Sequence, residues 1–132
     1  MEKIVLIPWD KTERYGHSDG MVRFIDEETV VTQYYFSDYP EMLKPLKQAG
    51  LKIEFIDYKG KKNDKLDWAY LNFLQTKDLI LLPKFEIEQD EEAFEKIENF
   101  YPYYKGRIAQ IDMNDTVIYG GTLNCITWTT KE

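Results

Sequence analysis

The chain has one cysteine and one histidine in 132 residues, and no excess of positive charge. Each shortage excludes something. A single cysteine rules out an internal disulfide framework, and it fits a reducing, cytoplasmic compartment. One histidine, one cysteine and scattered carboxylates do not make a metal-ligand spacing, so no metal and no other cofactor is expected. A net charge of −7 argues against nucleic acid as a partner, because phosphate binding needs a basic surface. No apolar run approaches the roughly 20 residues that span a membrane, so no membrane association is expected either. The opening Met1-Glu2-Lys3-Ile4-Val5-Leu6-Ile7-Pro8 is too short and too acidic for a signal peptide and reads as a strand. What is present is a core: 43% of the residues are hydrophobic and 31% charged, at the length of one ordinary domain. The expectation is a single α/β domain over 1–132.

The chain repeats itself. Gly20-Met21-Val22-Arg23-Phe24-Ile25, Ala69-Tyr70-Leu71-Asn72-Phe73-Leu74 and Gly121-Thr122-Leu123-Asn124-Cys125-Ile126 align without gaps. The first two continue, across polar turns, into second apolar runs at 29–35 and 78–83, which is a hairpin signal. A helical stretch follows each hairpin. The first is expected from Tyr39 to Ala49, with Ser37 or Asp38 as N-cap, Pro40 in the first turn and Gly50 just past the end. Met42, Leu43 and Leu46 supply its apolar side. The second is expected from Asp90 to Asn99, with Glu91 and Glu92 in its first turn and Ala93, Phe94 and Ile97 facing inward. Another short strand follows each helix, Ile53–Asp57 and Ile108–Asp112, and Ile4–Ile7 looks like the same strand of a preceding unit.

The unit is therefore strand, strand, helix, strand, about fifty residues long, a period typical of propellers, solenoids and arrays. Repeat one covers about 1–58, repeat two about 66–113, and a third repeat opens with a strand at about 119–130. Two units and a fraction do not close a ring, so completion by another chain or segment is expected. The aromatic run Phe100-Tyr101-Pro102-Tyr103-Tyr104 reads as packing at a helix end. Lys59 to Lys65 reads as a solvated loop.

Two motif-like surroundings hold the chemistry. His17 lies in Gly16-His17-Ser18-Asp19-Gly20, and Cys125 follows Gly120-Gly121. A lone cysteine and a lone histidine far apart in sequence form a candidate nucleophile and acid/base pair. If extended, His17 and Asp19 point to the same side and address one pocket. The glycine pair would let a backbone approach a ligand closely and leave N–H groups free. The bland readings stand beside these. Cys125 takes the place of Phe24 and Phe73, so it reads equally as a small apolar filler of a core strand. His17 reads equally as an exposed residue of a polar turn. In the second repeat Leu66 and Trp68 stand where His17 and Asp19 stand, so any chemistry sits on one repeat and not its sibling.

Together these motifs resemble the C-terminal part of the agmatine deiminase and bacterial (Porphyromonas-type) peptidylarginine deiminase family. The resemblance rests on Gly16 to Gly20 followed by Arg23-Phe24, on Leu43, Leu46 and Ala49-Gly50-Leu51, on the strand Ile108 to Asp112, and on Gly120-Gly121 before Cys125-Ile126-Thr127. It covers essentially the whole chain. It implies a pentein-like fold, here a partial five-bladed β/α propeller of about two strand-strand-helix-strand repeats plus the opening strand of a third. It implies metal-free hydrolysis of a guanidinium group to a ureido group and ammonia. Cys125 would be the nucleophile, His17 the general acid/base and Asp19 a guanidinium-binding carboxylate. The partner would be a cationic guanidinium small molecule or an arginine side chain. Family members are much longer, and their N-terminal part supplies a further carboxylate and enclosing aromatics; a homodimer or a separate N-terminal half would supply these here. The family usually has histidine before the nucleophile, where this chain has Asn124. The alternative function is a non-catalytic binding or assembly module that kept the scaffold.

Overall fold

The computed structural model describes residues 4–11, 16–60, 62 and 65–130. The chain divides into two compact units, Met1–Asp57 and Tyr58–Glu132. Each is built on a three-stranded mixed sheet. In the first, β1 (Val22–Phe24) runs antiparallel to β2 (Thr29–Gln33), which runs parallel to β3 (Lys52–Ile56). In the second, β4 (Leu74–Gln75) runs antiparallel to β5 (Ile80–Lys84), which runs parallel to β6 (Ile108–Asp112). Two parallel neighbours need a crossover, and a helix supplies it in both units. These are α1 (Pro40–Gln48) and α2 (Gln89–Phe100). The expected order of strand, strand, helix, strand therefore occurs twice. Registers correspond too: Thr29 pairs with Lys52 and Gln33 with Ile56, as Ile80 pairs with Ile108 and Lys84 with Asp112.

The first core forms where α1 lays Met42, Leu43 and Leu46 on Met21, Val30 and Phe36. The three helix positions are those expected from the apolar spacing. Each fully buried side chain of this size is worth about 1.5–3 kcal/mol. The C-terminus of α1 closes with Gly50 at φ +84°, the Gly50 N–H donating to Lys47 O at 2.9 Å and the Leu51 N–H to Leu46 O at 3.1 Å. That is a Schellman motif, and only a residue at ease with positive φ closes it. The N-terminus differs from expectation. Its cap is Tyr39, without a side-chain bond, because Ser37 and Asp38 belong to a 3₁₀ helix over Tyr34–Asp38 that feeds directly into Pro40.

In the second unit Ala93 and Ile97 of α2 are buried, while Phe94 is half-buried. The aromatic run at 100–104 does pack at the helix end: Tyr101 and Tyr104 are buried, and the Tyr104 hydroxyl donates to Thr76 O at 2.7 Å. Asp90, in the first turn of α2, accepts the N–H groups of Phe85 (2.9 Å) and Ile87 (3.1 Å) and the hydroxyl of Tyr70 (2.7 Å). Burial of Tyr70, and then this bond to a carboxylate, push its phenol well above the ordinary tyrosine range. Of the loop 59–65, Lys59, Gly60, Lys62 and Lys65 are exposed as expected; Lys61, Asn63 and Asp64 lie outside the described residues.

Four expected strands need correction. The opening strands of the repeats start late, because 3₁₀ helices at Ser18–Gly20 and Asp67–Leu71 take their first residues. Met21 and Tyr70 are buried in the equivalent place, so the apolar pattern was right and its backbone was not extended. Residues 119–130 hold no strand. After a short helix α3 (Asn114–Val117) the chain turns, and the N–H groups of Cys125 and Ile126 both reach back to Thr122 O, at 3.1 and 3.3 Å. Within this segment these backbone groups are satisfied locally. Ile4–Ile7 pairs with no strand among the described residues, although Val5 and Ile7 do pack on the first core. Among the described residues no helix is long and apolar enough to cross a membrane.

Candidate functional site

Cys125 sits in the second unit, exposed, inside the tight turn Leu123–Ile126. What holds that turn is a clamp that the sequence reading did not name. Asn72, fully buried at the end of the 3₁₀ helix, accepts the Thr122 N–H on its side-chain oxygen at 3.0 Å. The Thr122 hydroxyl lies 2.8 Å from the Asn72 carbonyl and 3.0 Å from its side-chain oxygen, and donates there. The Asn124 N–H donates to the same carbonyl at 3.2 Å. Thr122 is buried as completely as Asn72. Downstream, the Thr127 hydroxyl donates to Leu123 O at 2.8 Å and closes the turn. The available signal was the alignment, which places Asn72 and Asn124 at the same repeat position.

The glycine pair acts differently from expectation. Gly120 has φ +84° and its N–H donates to Val117 O at 3.0 Å, so that group is not held ready for a ligand. Gly121 is the position of close approach, and what approaches is Cys125. A Cβ at Gly121 would lie 2.8 Å from Cys125 Cβ and 3.1 Å from its Sγ. The glycine thus makes room for the thiol itself. The exposure of Cys125 also departs from the filler reading, under which it would be buried like Phe73.

His17 and Asp19 lie in the first unit. His17 is exposed, with extended backbone (φ −78°, ψ 116°), and caps the 3₁₀ helix Ser18–Gly20 that contains Asp19. Their spacing is carried by a turn and not by strand alternation. Gly16 precedes them at φ +69°, and a Cβ there would meet Trp9 Cδ1 at 2.7 Å. A polar turn with an exposed histidine is present as the bland reading had it. Asp19 is half-buried. Such a segment presents an imidazole and a carboxylate from one turn, while the clamp presents a thiol from another, hydrogen-bonded one. Proton transfer, carboxylate recognition of a cation and thiol nucleophilicity are the chemistries this set of side chains offers.

Comparison with known proteins converges on one family. The model of the Porphyromonas-type peptidyl-arginine deiminase family matches residues 1–130. A candidate agmatine deiminase of Enterococcus faecalis is 29% identical over 82 residues, covering 61% of this chain and 22% of that protein. The crystal structure of a candidate peptidyl-arginine deiminase superposes over 96% of this chain and 42% of its own, with a TM-score of 0.66 and 22% identity. The agmatine deiminase of C. jejuni superposes over 92% of this chain and 39% of its own, with a TM-score of 0.63 and 19% identity. At such identities the solved structures show a shared α/β fold with mixed sheets. The chain spans well under half the length of the relatives and structures it matches.

Proposed function

Because the chain belongs to the Porphyromonas-type peptidyl-arginine deiminase family, we propose that it carries the catalytic residues of a guanidine-modifying hydrolase. The observation that carries this reading is the extent of the family match. It runs from residue 1 to 130 and so includes both the His17-Ser18-Asp19 turn and the Cys125 turn. The repeats are read as blades of a partial five-bladed propeller, within one domain over 1–132.

In this proposal the Cys125 thiolate attacks the guanidinium carbon, forming a C–S bond. His17 protonates the departing nitrogen as the C–N bond breaks, and ammonia leaves. His17 then takes a proton from water. The resulting hydroxide adds to the thiouronium carbon, the C–S bond breaks, and the thiolate returns with a ureido product. Asp19 holds the planar N–H fork by charge-assisted hydrogen bonds. The substrate cation itself favours ionised sulfur beside it. The Asn72–Thr122 clamp and Gly121 support this role, because a nucleophile must be held within a fraction of an ångström of its line of attack.

A second reading adds association: we propose that a second copy or a separate N-terminal half contributes to the pocket. A non-catalytic module on the same scaffold is the alternative. One experiment separates them: the rate at which chloroacetamidine alkylates Cys125, against neutral chloroacetamide, read by intact mass. A large preference for the amidinium reagent, suppressed by agmatine and lost in Asp19→Ala, is the expected result. Equal, slow labelling by both reagents would overturn the catalytic assignment.

A further inference from the structure

The first unit contains a cavity of about 260 Å³ that the proposed reaction does not use. Neither His17 nor Asp19 lines it. Its walls are aromatic: Trp9, Tyr35, Phe36 and Tyr39. Phe36 is buried and holds its neighbours in ring contact, Tyr35 at 4.7 Å between centroids and Tyr39 at 6.2 Å and 72°. The sulfur-bearing side chains of Met21 and Met42, both buried, close the floor. At the mouth Trp9 is 60% and Tyr39 46% exposed, too much aromatic surface to be explained by the core of this unit. The indole lies close against Gly16, where a Cβ would come within 2.7 Å of Trp9 Cδ1. Two carboxylates, Asp10 and Glu41, stand on the rim with one lysine, Lys11.

Aromatic faces carry negative potential, and they attract a cation most strongly where water is excluded. A primary ammonium brings three N–H donors, and a mostly apolar pocket leaves them short of acceptors. A methylated ammonium has no such demand. Its charge is spread over methyl groups that also bury apolar surface. The size suits a small ligand. We propose that this cavity is an aromatic cage for a quaternary or multiply methylated ammonium group, with Glu41 and Asp10 supplying the counter-charge. The site is independent of Cys125 chemistry, so it stands or falls apart from the proposed activity.

The test titrates the full chain with choline, and separately with 3,3-dimethylbutan-1-ol, its neutral isostere, following the Trp9 indole N–H by ¹H–¹⁵N correlation spectra. Choline is expected to bind at least about tenfold more tightly than the alcohol, the size of a cation–π and carboxylate contribution. Glu41→Gln is expected to weaken choline about 3- to 10-fold and leave the alcohol unchanged. Tyr39→Ala is expected to weaken choline about 5- to 30-fold. Lys11→Met is expected to tighten it by removing a like charge. All three positions are exposed, and retained dispersion of the spectra verifies that each variant is folded. Equal affinity for choline and the alcohol, no binding at tens-of-millimolar concentration, or choline binding unmoved by Glu41→Gln and Tyr39→Ala would each overturn the proposal.

Discussion

The clamp beneath Cys125 makes a prediction whose size follows from its bonds. Asn72→Ala removes the side-chain oxygen that accepts the Thr122 N–H at 3.0 Å, between two residues with no exposed surface. A buried donor left without its acceptor costs about 1–3 kcal/mol. The lost amide also leaves a cavity, adding about 1 kcal/mol. The sum is about 2–4 kcal/mol. Thr122→Val is the internal control. It removes one hydroxyl, leaves the N–H bond to Asn72 intact and nearly keeps the volume, so its cost is about 0.5–1.5 kcal/mol. Urea unfolding read from Trp68, which belongs to the same unit, measures both. With a slope of about 1.5–2 kcal/mol/M, Asn72→Ala should lower the midpoint by about 1–3 M. A change below about 0.5 kcal/mol, or a Thr122→Val variant less stable than Asn72→Ala, would refute the account of what holds this turn.

Gly121→Ala places a methyl 2.8 Å from Cys125 Cβ; it should cost about 1–3 kcal/mol and change the alkylation rate of the thiol, both measured on one sample. Gly50→Ala meets no atom within 4 Å, so its cost is purely that of φ +84°, about 1–2 kcal/mol by thermal melting, with Gly50→Asn costing less. Cys125→Ala should leave the unfolding free energy in urea within about 0.5 kcal/mol of the parent, because the thiol is exposed; a larger loss would restore the core-filler reading. Tyr70 keeps its proton in the fold to higher pH than in the unfolded chain, where it ionises near pH 10. Its contribution is therefore complete below pH 10 and declines above it, by at most about 1.4 kcal/mol per pH unit. The difference in stability between pH 9 and pH 11 should shrink in Tyr70→Phe.

The architecture was legible where period and punctuation agreed. Met42, Leu43 and Leu46 recur at helical spacing and Gly50 ends the run, so α1 could be placed to within a residue or so at each end. Ile108–Asp112 could be placed as a strand because it follows the second helical stretch as Ile53–Asp57 follows the first. The opening strands were misjudged because Met21, Tyr70 and Leu123 announce burial without announcing backbone conformation. A 3₁₀ turn buries such a residue as well as a strand does. Ile4–Ile7 is an apolar run of the kind a strand has, but a ladder needs a partner, which an apolar run does not supply. The Asn72–Thr122 clamp joins residues fifty apart, and nothing local to Thr122 marks its partner. Only the repeat alignment hinted at it.

That alignment gives the thiol its meaning. One repeat position holds Phe24 in β1, largely exposed; Phe73 just before β4, fully buried; and Cys125 in a turn, exposed. A position with three different fates is not a conserved core slot of the scaffold. In the third copy the strand is replaced by a turn whose N–H groups fold back on Thr122, and a glycine gives the sulfur room. An accessible thiol held by a buried clamp is what the proposed nucleophile requires.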